Sequence, residues 1–249
     1  MKKKQVVITY TSLSVGWLLL MLVIFSLILG SCTKEKLSGS GNVIAVKRSI
    51  SPFTDVEISG PFEVHLAQDL SGLVEIMAED NIIDAVETDT RRNTLCIRIK
   101  KDVELSRHMP IQVYVHSRIF QRIAFYGTGD LYSKDTLLCP LLTYEQNGSG
   151  DASLLLSSGT LKTTINGSGN IFIKGHSDTI DSDINGNGAV YGTEMSVQRA
   201  DITIRGTGGH SLHVDKLLNV GIYGSGNVTY SGNPELHSEI RGTGRLIKI

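Results

Sequence analysis

Large rings are scarce in this chain. Phenylalanine, tyrosine and tryptophan make up only 6% of its 249 residues. Proline is scarcer still, with 5 residues against 26 glycines, and the glycines follow no three-residue period. That excludes a collagen-like chain and leaves tight turns as their main use, hence β structure. An excess of positive charge is also missing. The formal net charge is −1; without residues 1–31, which carry Lys2, Lys3 and Lys4 and no acid, 21 basic residues face 25 acidic ones, or −4. Neither balance suggests a nucleic-acid partner, and no basic stripe stands out. Cysteine is limited to Cys32, Cys96 and Cys139. Cys96 and Cys139 could bridge, but free buried thiols are the better expectation. What remains is ordinary globular composition, 41% hydrophobic and 20% charged, in a length that suits one large domain or two small ones.

The N-terminus carries a long apolar run. Met1-Lys2-Lys3-Lys4 is basic, and Val15 to Leu29 is uncharged and apolar. Leu29-Gly30-Ser31-Cys32 then resembles the bacterial lipobox, in which the cysteine is lipidated and becomes the new N-terminus. The run is also long enough for a permanent transmembrane helix. A cysteine after two small residues, followed by polar Thr33-Lys34-Glu35-Lys36, favours the lipobox. The expected order is a lipoprotein signal peptide over 1–31 and a flexible tether over 32–42, anchored through Cys32.

What the chain has in abundance is a repeat. Gly-x-Gly turns fall at Gly127-Thr-Gly129, Gly148-Ser-Gly150, Gly167-Ser-Gly169, Gly186-Asn-Gly188, Gly206-Thr-Gly208, Gly224-Ser-Gly226 and Gly242-Thr-Gly244. Their first glycines are 21, 19, 19, 20, 18 and 18 residues apart. Such an internal period means a repeat architecture. Two residues before each first glycine stand Phe125, Gln146, Ile165, Ile184, Ile204, Ile222 and Ile240. Four residues after it stand Leu131, Ala152, Ile171, Val190, His210, Val228 and Leu246. These columns are almost purely apolar, while flanking Thr164, Asp183, Thr203 and Glu239 are polar. Alternation with period two means strands with one buried face.

Each repeat is too short to bury that face alone, so its partner must be the next repeat. A near-constant period fits an all-β solenoid with about 18–21 residues per coil, each coil climbing about 4.8 Å. Asn147, Asn166 and Asn185 each precede a glycine and should form an asparagine ladder, exchanging amide hydrogen bonds along the axis. Residues 43–122 read as irregular β coils or a cap, continuous with the repeats of 123–249. Leu73–Met77, Leu95–Ile99 and Ile111–Val115 read as strands, and Asn81–Glu87 as a helical turn. Gly39-Ser-Gly41 has no apolar strand before it and reads as tether.

The chemical readings of the glycine turns are weak. A phosphate cradle needs a helix after the glycines, and here a strand-like run follows every turn. Calcium-binding glycine-aspartate repeats have a nine-residue period, half the one seen here. Asp130 and Asp151 could sit one rung apart, but turn residues bonding local backbone explain them as well. Asp178, Asp181 and Asp183 fall in a loop-like, solvated stretch with no adjacent arginine. His210 occupies an apolar column, where a satisfied core histidine is expected, and His213 should face the other way. Ser149, Ser168 and Ser225 lack a nucleophile elbow, and no Ser–His–acid triad can be assigned. No catalytic residue, metal site or cofactor is called for.

One segment goes further. Phe53-x-x-Val56-x-Ile58-x-Gly60, then Val64-x-Leu66-x-Gln68, then the recurrent Gly-Ser-Gly-Asp/Asn corners, resembles the head GIN domain of putative auto-transporter adhesins, commonly lipoproteins of Gram-negative envelopes. The resemblance spans about Arg48 to Ile249. It implies a right-handed parallel β-helix without catalytic residues and a role in adhesion, with no site residues to carry over. Gly209 and Arg245 depart from the usual Asp/Asn after the corner, so the last coils should be looser. The expectation is a non-enzymatic outer-membrane lipoprotein of the cell envelope. Its partners would be the membrane through its lipid, a glycan or protein ligand on a solenoid face, and further copies of itself. The alternatives are a polysaccharide-active lyase or hydrolase on the same scaffold and a structural or signalling envelope component.

Overall fold

The computed structural model describes residues 34–249, so the expected signal peptide over 1–31 and the expected lipid site at Cys32 lie outside the described residues. The strands are β1 Glu35–Leu37, β2 Val43–Ser49, β3 Asp55–Ser59, β4 Phe62–Gln68, β5 Leu73–Glu79, β6 Val86–Arg91, β7 Thr94–Ile99, β8 Val103–Leu105, β9 Ile111–Ser117, β10 Arg122–Gly127, β11 Leu131–Ser133, β12 Leu137–Gly148, β13 Ala152–Ile165, β14 Ile171–Ile184, β15 Ala189–Ile204, β16 Gly209–Ile222, β17 Asn227–Ser231, β18 Glu235–Ile240 and β19 Arg245–Lys248. A single helical turn, α1, covers Asp80–Ile83.

From β10 onward every pairing between coils is parallel, and the register follows the glycine period. Ile165 lies on Ile184, Ile184 on Ile204, Ile204 on Ile222 and Ile222 on Ile240. On the other side of the corner, Ile171 lies on Val190, Val190 on His210 and His210 on Val228. The result is a right-handed parallel β-solenoid of about seven turns. One aliphatic ladder fills its interior, and Ile165, Ile184, Ile204 and Ile222 are fully buried. Burying each such side chain contributes about 1.5–3 kcal/mol, which the isolated hairpin could not collect. Buried hydroxyls along the ladder satisfy one another between coils: Ser158 Oγ donates to Ser177 Oγ at 2.9 Å, and Thr163 Oγ1 to Ser182 Oγ at 2.8 Å.

The corners need glycine because backbones stack there without room for a side chain. A Cβ on Gly167 would lie 2.2 Å from the Gly148 carbonyl oxygen, and one on Gly169 would lie 2.0 Å from that of Gly150. The column extends below the seven repeats. A Cβ on Gly127 would meet Gly60 O at 2.2 Å, and one on Gly129 would meet Phe62 O at 2.0 Å, so Gly60-Pro61-Phe62 is an eighth corner.

The N-terminal region contains regular coils in an irregular chain order. β3 and β4 stack beneath β10 and β11, with Ile58 under Phe125 and Val64 under Leu131. Beneath β3 and β4 lie β7 and β9, which come later in the chain, with Ile58 on Ile97 and Val64 on Val113. The first coil is thus clamped between two later ones. The Gln68 side chain ties this coil to the next: its amide nitrogen donates to the Leu138 carbonyl at 2.9 Å, and its oxygen accepts from the Leu138 N–H at 2.6 Å. Below, the stack is closed by antiparallel strands, β6 on β7, β5 on β9 and β2 on β5. Ile82 and Ile83 of α1 are buried against this base.

Ser38–Asn42, expected within a flexible tether, are held to this base. Gly39 N–H donates to Arg107 O at 2.9 Å, Gly41 N–H to Glu79 Oε1 at 2.8 Å, and Asn42 Nδ2 to Asp80 Oδ2 at 2.9 Å. This Gly-Ser-Gly, which follows β1, therefore has a docking role, because its small residues let the chain lie on the Glu79 carboxylate. At the far end, no residue of β18 is buried, and Leu236, Ile240 and Ile247 are exposed.

Candidate functional site

The corner residues line a shallow open groove formed by Thr128, Ser149, Ser168, Asn187 and their glycines. The amides between the glycines of successive corners bond to the coil beneath. Ser168 N–H donates to Gly148 O at 3.1 Å, Asn187 N–H to Gly167 O at 2.9 Å, and Thr207 N–H to Gly186 O at 3.0 Å. Those N–H groups are not open to a phosphate. Along the same edge Asn166 Nδ2 donates to Asn147 Oδ1 at 2.9 Å and Asn185 Nδ2 to Asn166 Oδ1 at 3.1 Å; Arg205 continues the row by donating to Asn185 Oδ1 at 3.2 Å.

The acids are equally committed. Asp130 Oδ1 accepts from the Asp151 N–H at 2.9 Å, and Asp151 Oδ1 accepts from both the backbone and the side-chain nitrogen of Asn170, at 2.8 and 3.1 Å. They act as rungs between corners. No cluster of three metal-capable side chains occurs among the described residues. Asp178, Asp181 and Asp183 correct the sequence expectation. They stand on β14, in no loop, and the parallel register supplies cations from neighbouring coils: Arg205 on Asp183 at 2.9 Å and Lys162 on Asp181 at 3.7 Å.

A cleft at the N-terminal region holds His116 Nδ1 at 2.7 Å from Asp69 Oδ2, with Ser71 Oγ donating to Asp69 Oδ1 at 2.5 Å. The hydroxyl sits on the carboxylate and makes no bond to the imidazole, so the group lacks the order of a nucleophilic triad. These contacts and that of the Ser71 N–H hold the Asp69 carboxyl down at about 2. His210 is buried as expected for its column, but it is not satisfied: neither ring nitrogen has a partner, and burial pushes its pKa down to about 3. His213 faces outward, between Ser231 and Asp215. Cys139 is buried and Cys96 half-buried; both are free, and burial raises both thiols, Cys139 to about 11.

The feature that sequence reasoning missed is an aromatic row on the outer surface. The parallel register stacks Tyr114, His65, Tyr132, Ser153, Phe172 and Tyr191 on successive coils. Ring centroids lie 4.7 Å apart for Tyr114 and His65, 5.4 Å for His65 and Tyr132, and 5.0 Å for Phe172 and Tyr191. These are ordinary stacking distances. Ser153 interrupts the row. Tyr132 and Phe172 are therefore two rungs apart, about 9.6 Å, with one ring face each turned to the gap. That spacing admits a single flat ring between them. Tyr132, Phe172 and Tyr191 are 37, 39 and 46% exposed. Lys174 flanks the row and pairs with Glu194 at 2.7 Å. The signal for the upper half was available: Tyr132, Ser153, Phe172 and Tyr191 all stand five residues after a corner glycine. Tyr114 and His65 join them only through the out-of-order coils.

The long parallel stack defines the class, a β-solenoid. The chain belongs to the family of putative auto-transporter adhesins with a head GIN domain, whose model matches residues 52–234. An adhesin-like family of this kind suggests a cell-surface or envelope protein. A putative adhesin from Bacteroides fragilis superposes with a TM-score of 0.82 at 19% identity, covering 86% of this chain and 100% of its own. A putative adhesin from Parabacteroides distasonis gives 0.74 at 18% identity over the same shares. A putative lipid binding protein from Parabacteroides distasonis gives 0.69 at 19%, again covering 86% and 100%. No curated relative matches the sequence. No helix among the described residues is long and apolar enough to cross a membrane.

Proposed function

We propose that this chain is a non-enzymatic, lipid-anchored protein of the Gram-negative outer membrane that binds a glycan along its aromatic row. The single observation behind this reading is the interrupted stack. Sugar rings pack on aromatic faces, and an extended polymer matches a ligand surface that repeats every coil. Tyr132 and Phe172 would grip one residue of the polymer across Ser153, and Phe172 and Tyr191 would support its neighbours. The lipobox-like Leu29-Gly30-Ser31-Cys32 supports the anchor.

The test is a glycan array with the full chain in detergent. Any glycan retained by the wild type should be lost on Tyr132→Ala and on Phe172→Ala. Ser153→Tyr, which completes the stack, should also abolish binding while leaving the fold unchanged. Retention by all three variants would overturn the row as the ligand surface. Cys32→Ala should abolish fatty-acid labelling; persistent labelling would overturn the anchor. The enzymatic alternative rests on Asp130 and Asp151, one rung apart. Polysaccharide turnover lost on Asp130→Asn or Asp151→Asn would establish it and overturn the adhesion reading.

A further inference from the structure

The two ends of the solenoid are unlike. The base is closed by antiparallel strands and α1, whereas among the described residues nothing pairs with the outer edge of β18. Arg241 N–H donates to Ile222 O beneath it at 2.7 Å. By strand alternation Glu235, His237 and Glu239 also bond downward, leaving the N–H and C=O groups of Leu236, Ser238 and Ile240 aimed off the end. Leu236, Ser238 and Ile240 continue the interior ladder of Leu218, Val220 and Ile222, while Glu235, His237 and Glu239 lie on the outer surface.

We propose that β18 pairs antiparallel with β18 of a second copy, giving a tail-to-tail dimer around a two-fold axis at Ser238. The edge is self-complementary in that register. Leu236 meets Ile240 of the other copy, so the apolar ladder continues into it. Glu235 meets Arg241, and His237 meets Glu239, on the outer surface. The backbone groups left over on Leu236, Ser238 and Ile240 face their counterparts as hydrogen-bonded pairs, about six bonds in all. Slipping by one residue places apolar side chains outside. Slipping by two sets Glu235 against Glu239 in one direction, or Glu239 against itself in the other, and like charges directly opposite are unfavourable. A head-to-tail filament is disfavoured because the base offers no matching open coil, so the contact closes at two copies.

Cysteine cross-linking of the full chain in detergent tests both the contact and its register. Ser238→Cys should form a disulfide-linked dimer on mild oxidation, since Cα atoms about 5.5 Å apart lie within disulfide reach. His237→Cys and Glu239→Cys, which self-pair only in the slipped registers, should link poorly, and the wild type sets the background from its native cysteines. Sedimentation should show Glu235→Arg weakening the dimer by roughly tenfold or more, with Arg241→Glu in the same chain restoring it. A wild type that stays monomeric at tens of micromolar would overturn the proposal. So would a dimer that Ser238→Cys fails to link, or linkage strongest through His237→Cys or Glu239→Cys.

Discussion

The closed base and the open tail of this solenoid present the same kind of strand in opposite circumstances. β3 and β18 both stand just before a glycine corner and both alternate apolar and polar residues. Ile58 in β3 is fully buried between Phe125 and Ile97, while Ile240 in β18 is 43% exposed with a coil on one side only. The alternation therefore specifies which face looks inward and leaves open whether that face is covered. Burial in a solenoid is supplied by the neighbouring coil. At the base the chain supplies it with an out-of-order coil, three antiparallel strands and a helical turn. At the tail a second copy would do the same work.

The sharpest way to break this contrast is one substitution at both ends. Ile58→Ala should cost about 2–5 kcal/mol, the usual loss for a buried aliphatic side chain with a cavity left behind. Ile240→Ala should cost less than about 1 kcal/mol in dilute solution. Urea denaturation compares them, and equal losses would mean that the tail is covered. A loss at Ile240 that grows with protein concentration would report the dimer contact.

Glycines divide in the same way. Gly167→Ala should cost about 3 kcal/mol or more, because its Cβ meets backbone and neither coil can withdraw alone. Gly72→Ala, at an open turn with φ of 57° and nothing within 4 Å, should cost only about 1–2 kcal/mol. Thermal unfolding of the two variants checks the difference.

His210 marks a fault within the regular region. His210→Val should stabilise the protein by about 1–3 kcal/mol at pH 7, since it removes two unpaired ring nitrogens from a dry ladder. It should also remove a pH dependence. The imidazole is held neutral down to about pH 3 in the fold, whereas the unfolded chain takes up its proton near 6.5. This proton-linked part of its cost is absent above pH 6.5 and grows by about 1.4 kcal/mol per unit as the pH falls from there towards 3. Comparing urea midpoints of wild type and variant at pH 7.5 and 5.0 isolates that term. A small effect is expected at the outer corner, where Asn166→Ala removes two side-chain hydrogen bonds and should cost about 1 kcal/mol.

Much of this was legible in advance. The glycine spacing is the pitch of the coil, and the isoleucines two residues ahead of each corner are the ladder itself, because stacking in register puts like positions together. β5, β7 and β9 were readable as strands from alternation. Their pairing was not, since nothing in Leu95–Ile99 announces that it lies beneath Asp55–Ser59 instead of following it. The three aspartates of β14 are solvated as expected, but they were misread as a loop without a neighbouring arginine, because the cations of Asp181 and Asp183, Lys162 and Arg205, come from other coils. The lower part of the aromatic row was hidden for the same reason, since Tyr114 and His65 mean little in an aromatic-poor chain until the register stacks them, with ring centroids 4.7 Å apart for that pair and 5.4 Å for His65 and Tyr132.

By itself the amino-acid order determined the repeat, its period, the corner chemistry and the inward face of each strand. These follow from local rules: glycine where a Cβ cannot fit, and alternation where one face must be dry. Tertiary structure alone decided the clamped order of the first coils, the partners of the charged residues, the row of rings outside and the uncovered tail. Each of these depends on which coil lies next to which, and that choice is made by the burial gained over the whole stack.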